Sequence, residues 1–310
     1  MKIGLQKINK FYESKSILIT GDRGFLGSAL YKRLCSMNCK VHAFDGDVSL
    51  RKDWQENLKC KPDLIFHLAA VEHGAAKDPY DDLYINGLSA LHLLECCLES
   101  AQSPEIIFAS SSNIFGAARN LPVAEGHKDS PVSLWSLHKL LAEKYLKIYH
   151  KTHGIKSICL RLSNIYGPST SKELTNRMSL NKMIVMAAEE GKLTLFNNLS
   201  CKRDWLYIDD AVEAFVMSAL VEKKKPYTFL VGSDDSQTIE SVANIIKETT
   251  KKLCDKKVVI SKNYDKLPPM AMRKYEPNCT LFKNAASWVP TYGIAEGIEK
   301  TVEYINDNKP

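Results

Sequence analysis

A short apolar run, Ile17-Leu18-Ile19, passes through Thr20 into Gly21, Gly24 and Gly27. The three glycines are spaced G-x-x-G-x-x-G, and a helical pattern follows from Phe25 to Met37. Strand, glycine turn and helix in that order form a dinucleotide-binding turn. Gly21 permits the tight turn after the strand, Gly24 lets the backbone approach a pyrophosphate, and Gly27 lets the helix pack closely on the strand. The helix start then offers unpaired N–H groups and a partial positive charge to phosphates. Gly21, Arg23, Gly24, Phe25, Leu26 and Gly27 are therefore candidate cofactor contacts.

The following segments keep the alternation that this turn demands. Strands are expected at Lys40 to Phe44, Asp63 to Leu68, Glu105 to Ala109 and Lys156 to Arg161. Helices are expected at Leu83 to Glu99, with leucines 88, 91, 94 and 98 on one stripe, and at Ser133 to His153, stopped by Gly154. Strands separated by helices pair in parallel, with helices covering both faces. The fold expected is α/β: a Rossmann-type doubly wound parallel sheet with a smaller C-terminal α/β lobe that binds substrate. Residues 1–15 read as an extension, possessing at most a loose helix. Residues 16–165 form the nucleotide-binding domain, and 166–310 mainly the lobe, with the chain crossing back. In that second part, helices are expected at Met183 to Glu190, Asp209 to Val221 and Thr238 to Lys252.

Asp45 ends the second strand, where a carboxylate accepts two ribose hydroxyls and repels the extra phosphate of NADP. Asp47 is a second candidate, with Val48 placed to flank an adenine ring. The cofactor expected is NAD. Arg23 or Arg51 would overturn this by neutralising a 2′-phosphate.

With 310 residues the chain buries a large core, and a net charge of +6 suits a small anionic ligand. The densest basic run, Lys223-Lys224-Lys225, is too short for a nucleic-acid face. No apolar run approaches a membrane span, and the first 15 residues lack a hydrophobic signal core. The nine cysteines form no C-x-x-C pair, which points to reduced thiols in a cytoplasmic protein and to no metal site.

Further motifs lie downstream: His67-Leu68-Ala69-Ala70 after a strand, Asn86 on a helix, Ser110 to Gly116, Lys139 to Glu143, Arg161 to Pro168, Arg203-Asp204-Trp205 and Trp288-Val289-Pro290. With the glycine turn, they make the chain from Ser16 onward resemble the extended short-chain dehydrogenase/reductases, the NAD-dependent nucleotide-sugar epimerases and dehydratases. The resemblance implies that Leu68, Ala69, Ala70 and Asn86 also line the cofactor. It implies a catalytic Ser111, with Ser112 beside it, and a Lys139 that holds the nicotinamide ribose. At the family's tyrosine position stands Trp135, whose indole N–H donates but cannot accept a proton. His138, His73 and Tyr166 are the titratable groups near enough in sequence to be weighed as substitutes. Ser112 and Asn113 replace the acidic pair of the sugar dehydratases, so epimerase or simple oxidoreductase ranks above dehydratase. Asn164, Arg203 and Arg273 are similar to the family's diphosphate-binding residues. The implied partner is a nucleotide-diphosphate sugar, and the implied assembly a homodimer through the two long helices. A cofactor-binding sensor or partner subunit without the chemistry is the alternative that Trp135 raises.

Overall fold

The computed structural model describes residues 4–71, 78–118, 120–169, 171–176, 178–224, 227–265, 267 and 269–307. Its centre is a six-stranded sheet of β1 (Ser16–Thr20), β2 (Lys40–Ala43), β3 (Leu64–His67), β4 (Glu105–Ser111), β5 (Ser157–Leu162) and β6 (Tyr227–Val231). Every pairing is parallel, and the order is β6-β5-β4-β3-β1-β2. The chain steps outward from β1 to β2, then returns to β3 on the opposite side of β1. That reversal opens a crevice beyond the carboxyl ends of β1 and β3, where ligands bind in sheets of this kind.

Both faces of the sheet are buried, so the strands read as continuous apolar runs. Ile17, Ile19, Phe66, Ile107 and Leu160 face one core, together with helices α1 (Leu5–Tyr12), α2 (Phe25–Cys35) and α6 (Ile208–Ala219). Leu18, Ile65, Ile106 and Phe108 face the other, against α3 (Arg51–Asn57), α4 (Ser89–Glu99) and α5 (Leu134–His153). A third core joins α7 (Ile239–Cys254) and α8 (Ile294–Asp307) to Leu193, Leu195 and Trp205.

Several expectations need correction. Within the expected extension, α1 is anchored: Tyr12 is fully buried and its hydroxyl donates to the Val216 carbonyl at 2.9 Å. The helix expected from Leu83 begins as a π-helical turn, Leu83–Leu88, before α4. Strand β6 and helix α8 lie where the periodicity announced neither. β6 follows the lysine run, in which Lys223 is buried. Its ammonium is buried, pairs with Glu105 at 3.0 Å and donates to the Ala219 and Val221 carbonyls.

Candidate functional site

The crevice at the strand reversal is a cavity of about 670 Å³ lined by Gly21 to Gly24, Phe44 to Val48, Leu68 to Ala70, Ile85 and Leu174. Its shape depends on two glycines. Gly21 adopts φ +74°, and a β-carbon there would lie 2.8 Å from the Ala69 nitrogen. A β-carbon on Gly27 would lie 1.9 Å from the Gly21 carbonyl oxygen, so α2 could not approach β1. The Thr20 hydroxyl reinforces the crossing by accepting from the Leu68 and Ala69 amides at 3.1 and 3.0 Å. The cradle is thus filled by any larger residue and fits a pyrophosphate laid against bare backbone.

Arg23 and Gly24 line this cavity, whereas the Phe25 side chain packs into the third core and Leu26 packs beside it. Neither Phe25 nor Leu26 is among the residues that line the cavity. Asn57 pins the Asp45 backbone on both sides, accepting from its N–H at 2.9 Å and donating to its carbonyl at 2.7 Å. Asp47 instead closes its own turn, taking the Ser49 amide at 2.8 Å. Both carboxylates line the cavity. Arg51, which would have favoured a 2′-phosphate, pairs with Glu99. Phe44, Ile85 and Leu174 also line the cavity without having been anticipated, since isolated apolar residues carry no motif.

The groups expected to be reactive lie at the carboxyl end of β4 and on α5, outside the residues that line this cavity. The Lys139 ammonium is buried, donates to the Ala109 carbonyl at 3.0 Å and lies 4.8 Å from the centre of the Phe108 ring. Burial pushes its pKa down to about 8, against the opposing fields of Asp82 and Glu143. Behind it, His67 bridges the Thr20 and Ser89 hydroxyls at 2.8 and 2.9 Å. Burial and then the Lys139 charge hold that imidazole down to about 3, so it is neutral. Ser111 ends β4 and accepts the Asn113 amide at 3.1 Å, which leaves its own O–H to donate.

Trp135 sits one turn before Lys139 on α5. Its indole N–H donates to the Val71 carbonyl at 2.7 Å, just beyond the cavity-lining Leu68 to Ala70. Asn86 donates to the same carbonyl at 3.2 Å. His138 turns away from this edge to Asp82, with its Nδ1 3.0 Å from the carboxylate. His73 lies outside the described residues. Tyr166 is buried in the third core and donates to the Ile294 carbonyl at 3.3 Å, as a packing residue does.

Arg273 reaches β4 from the C-terminal segment. Its guanidinium donates to the Ser112 carbonyl at 3.4 Å and lies 5.1 Å from the Tyr275 ring centre. Burial, and next the positive Arg203 nearby, lower its pKa to about 10. Arg203 donates to the Lys202 and Ala271 carbonyls at 3.3 and 2.8 Å. Asn164 lies farther back and gives its amide to the Asp204 carbonyl at 3.0 Å. Among the described residues, no group of histidines, cysteines and carboxylates is arranged to hold a metal ion. No helix there is long and apolar enough to cross a membrane.

Fold and crevice together define a Rossmann-type dinucleotide-binding protein. The chain belongs to the NAD dependent epimerase/dehydratase family, whose model matches residues 17–232. NAD is accordingly its cofactor. A putative UDP-glucose 4-epimerase of Methanocaldococcus jannaschii is 27% identical, over 94% of this chain and 99% of its own length. Two solved structures share the fold. RMD from Pseudomonas aeruginosa, complexed with NADPH, has a TM-score of 0.84 at 19% identity, covering 96% of this chain and 100% of its own. The UDP-glucose 4-epimerase of Thermotoga maritima, with UDP-glucose, has a TM-score of 0.83 at 23% identity, covering 94% and 99%.

Proposed function

We propose that this chain acts on a nucleotide-diphosphate sugar, as an epimerase or related oxidoreductase working through a keto-sugar. The observation that carries the proposal is Arg273: a buried guanidinium beside a second one, with no carboxylate pairing it among the described residues. Buried charges need partners, and a diphosphate supplies oxygens in the planar geometry that guanidinium groups match. The M. jannaschii and T. maritima relatives make a UDP-sugar the first candidate.

In this proposal, bound NAD supplies the hydride acceptor. Ser111 donates its O–H to the reacting sugar oxygen, and Lys139 holds the ribose and keeps positive charge beside it. Arg203 and Arg273 clamp the diphosphate, with Asn164 supporting the same end. The sugar hydroxyl must also release a proton, and the indole of Trp135 cannot take it. Loss of a positioned base lowers rates by about 10²–10⁴-fold. Elimination of water ranks lower, since Ser112 and Asn113 provide neither acid nor base at the positions where the resemblance expects them.

The test is incubation of the purified protein with NAD and a panel of UDP-, GDP-, ADP- and dTDP-sugars. Altered sugar, or absorbance of a reduced nicotinamide, supports the proposal. NAD binding with neither overturns it in favour of a second reading, a cofactor-binding protein without this chemistry. The committed indole N–H of Trp135 is what supports that second reading.

We also infer a homodimer. Leu134, Leu137 and Ile148 are exposed along one stripe of α5, with Tyr84 and Leu98 exposed on the neighbouring Leu83–Glu99 helix. A second copy packing these stripes together would bury them as a four-helix face. Sedimentation at working concentration should give twice the chain mass, and a Leu137→Asp variant should give a single chain mass.

A further inference from the structure

All six strands of the central sheet run parallel, so their amino ends share one edge, opposite the cofactor crevice. Lys15 directly precedes β1, Lys40 opens β2, and Lys156 directly precedes β5. Lys61 and Lys224 stand shortly before β3 and β6. In the spatial order of the sheet the strand entrances read Lys224, Lys156, Glu105, Lys61, Lys15 and Lys40. Lysines far apart in sequence are thereby set in one row. Neighbouring strands lie about 4.8 Å apart, so the row is about 24 Å long.

The carboxylates on this edge do not cancel the row. Glu105 holds the buried Lys223 at 3.0 Å and meets Lys156 only at 3.9 Å. Asp63 accepts the Ser16 amide at 2.8 Å, Glu222 pairs with Lys224 at 3.3 Å, and Glu13 lies in the turn before β1. Lys40 and Lys61 are exposed, with no carboxylate in ion-pair reach among the described residues. Helix α1 adds Lys7 and Lys10, exposed and unpaired in the same way. Leu5, Ile8 and Tyr12 share one stripe of that helix. Ile8 and Tyr12 are buried in the core, whereas Leu5 is 63% exposed. The apolar face of α1 thus runs past the core to an exposed leucine close in sequence to two free lysines.

We propose that this edge docks on an anionic lipid surface, with the row of lysines against the headgroups and Leu5 entering the acyl boundary. The two surfaces are complementary in charge, since a bilayer with anionic lipids presents a flat field of negative charge that attracts clustered lysines. An exposed leucine on an amphipathic helix supplies the apolar anchor that such a surface accepts. A second copy of the chain offers the same sign and is repelled. A single-stranded nucleic acid needs free aromatic rings on which its bases stack. The rings nearest the row are already taken: Tyr12 is buried, Lys15 lies 4.8 Å from the centre of the Phe11 ring, and Tyr227 stacks on Phe229. Docked by this edge, the chain turns the crevice beyond the carboxyl ends of its strands away from the membrane and leaves it open to solvent.

The experiment is co-sedimentation of the full chain with phosphatidylcholine vesicles, with and without phosphatidylglycerol, at low and at high salt. The wild type should sediment with the anionic vesicles alone, and salt should release it by screening the exposed charges. A lysine near an anionic surface contributes about fivefold to partitioning, so the triple variant Lys40→Glu, Lys61→Glu, Lys156→Glu should partition at least about 100-fold more weakly. Leu5→Ala should weaken partitioning by about tenfold. Both variants should keep their affinity for NAD in calorimetry, which reports an intact fold, because none of these residues lines the cofactor cavity. Sedimentation with neither vesicle or equally with both overturns the proposal, as does a triple variant that sediments like the wild type. Tighter binding to RNA or to polyglutamate than to the anionic vesicles overturns it as well. Should the triple variant lose its NAD affinity, Lys40→Gln, Lys61→Gln, Lys156→Gln carries the test: it removes the charges without reversing them, and partitioning undiminished in that variant overturns the proposal.

Discussion

Two residues decide what the crevice can do. In the proposed function, Trp135 places a donor where proton transfer needs an acceptor, and that donor is already held by Val71 at 2.7 Å. Trp135→Tyr should raise turnover on the productive nucleotide sugar by at least about 10²-fold if Ser111 and Lys139 are otherwise set for hydride transfer. Steady-state kinetics on the variant checks this, and an NAD-loaded variant with no gain favours the second reading. Arg273 is the other. Arg273→Met keeps much of the buried stem but removes the charge. Hydrogen bonds to charged groups contribute about 1.5–3 kcal/mol, so the variant should bind nucleoside diphosphates roughly 10- to 100-fold more weakly by calorimetry. Its affinity for NAD should hold, because Arg273 does not line the cofactor cavity.

At the scale of elements, the cofactor cradle is a contact between a strand end and a helix start. Gly27→Ala would drive a methyl group to 1.9 Å from the Gly21 carbonyl. The helix must then lift from β1, so NAD affinity should fall at least about tenfold and the melting temperature should drop with it. Helix α5 carries Trp135, His138 and Lys139, and its ends are set locally. Ser133 and Ser136 form a reciprocal cap at its start, and Gly154 ends it with φ +74°. Such caps contribute about 1 kcal/mol, and both were readable as Ser133 before the apolar pattern and glycine after it. The direction in which each α5 side chain points was not readable. The 3.6-residue period puts Trp135 and Lys139 on one face, but it says nothing of a carboxylate 56 residues earlier that draws His138 away from them.

At the scale of the whole molecule, burial links this site to stability. His67 has an ordinary pKa of 6.5 and is held down to about 3 in the fold. The unfolded chain therefore binds the extra proton first. The stabilisation from neutral His67 is fully present above about pH 6.5 and is lost as pH falls toward 3. His67→Gln can keep partners for Thr20 and Ser89 without titrating. Its melting temperature should decline less steeply between pH 6.5 and 4 than that of the wild type, by calorimetric scanning.

The sequence by itself determined the class of fold and the cofactor end of the crevice. Glycine spacing, strand-to-helix alternation and the acid after β2 are contiguous signals, each written within a few dozen residues and each required by local backbone geometry. It also showed Trp135 as a departure from the tyrosine that the resemblance implies. The tertiary structure alone closed the Asp47 turn onto Ser49, bound Arg51 to Glu99, brought β6 back to β5, and joined Trp135, Val71, Asn86, Asp82 and His138 into one network. These partners lie far apart along the chain and follow no period. They meet because the two buried faces of one sheet force α4, α5 and the end of β3 together, and a hydrogen bond made by that closure leaves no mark in the spacing of residues.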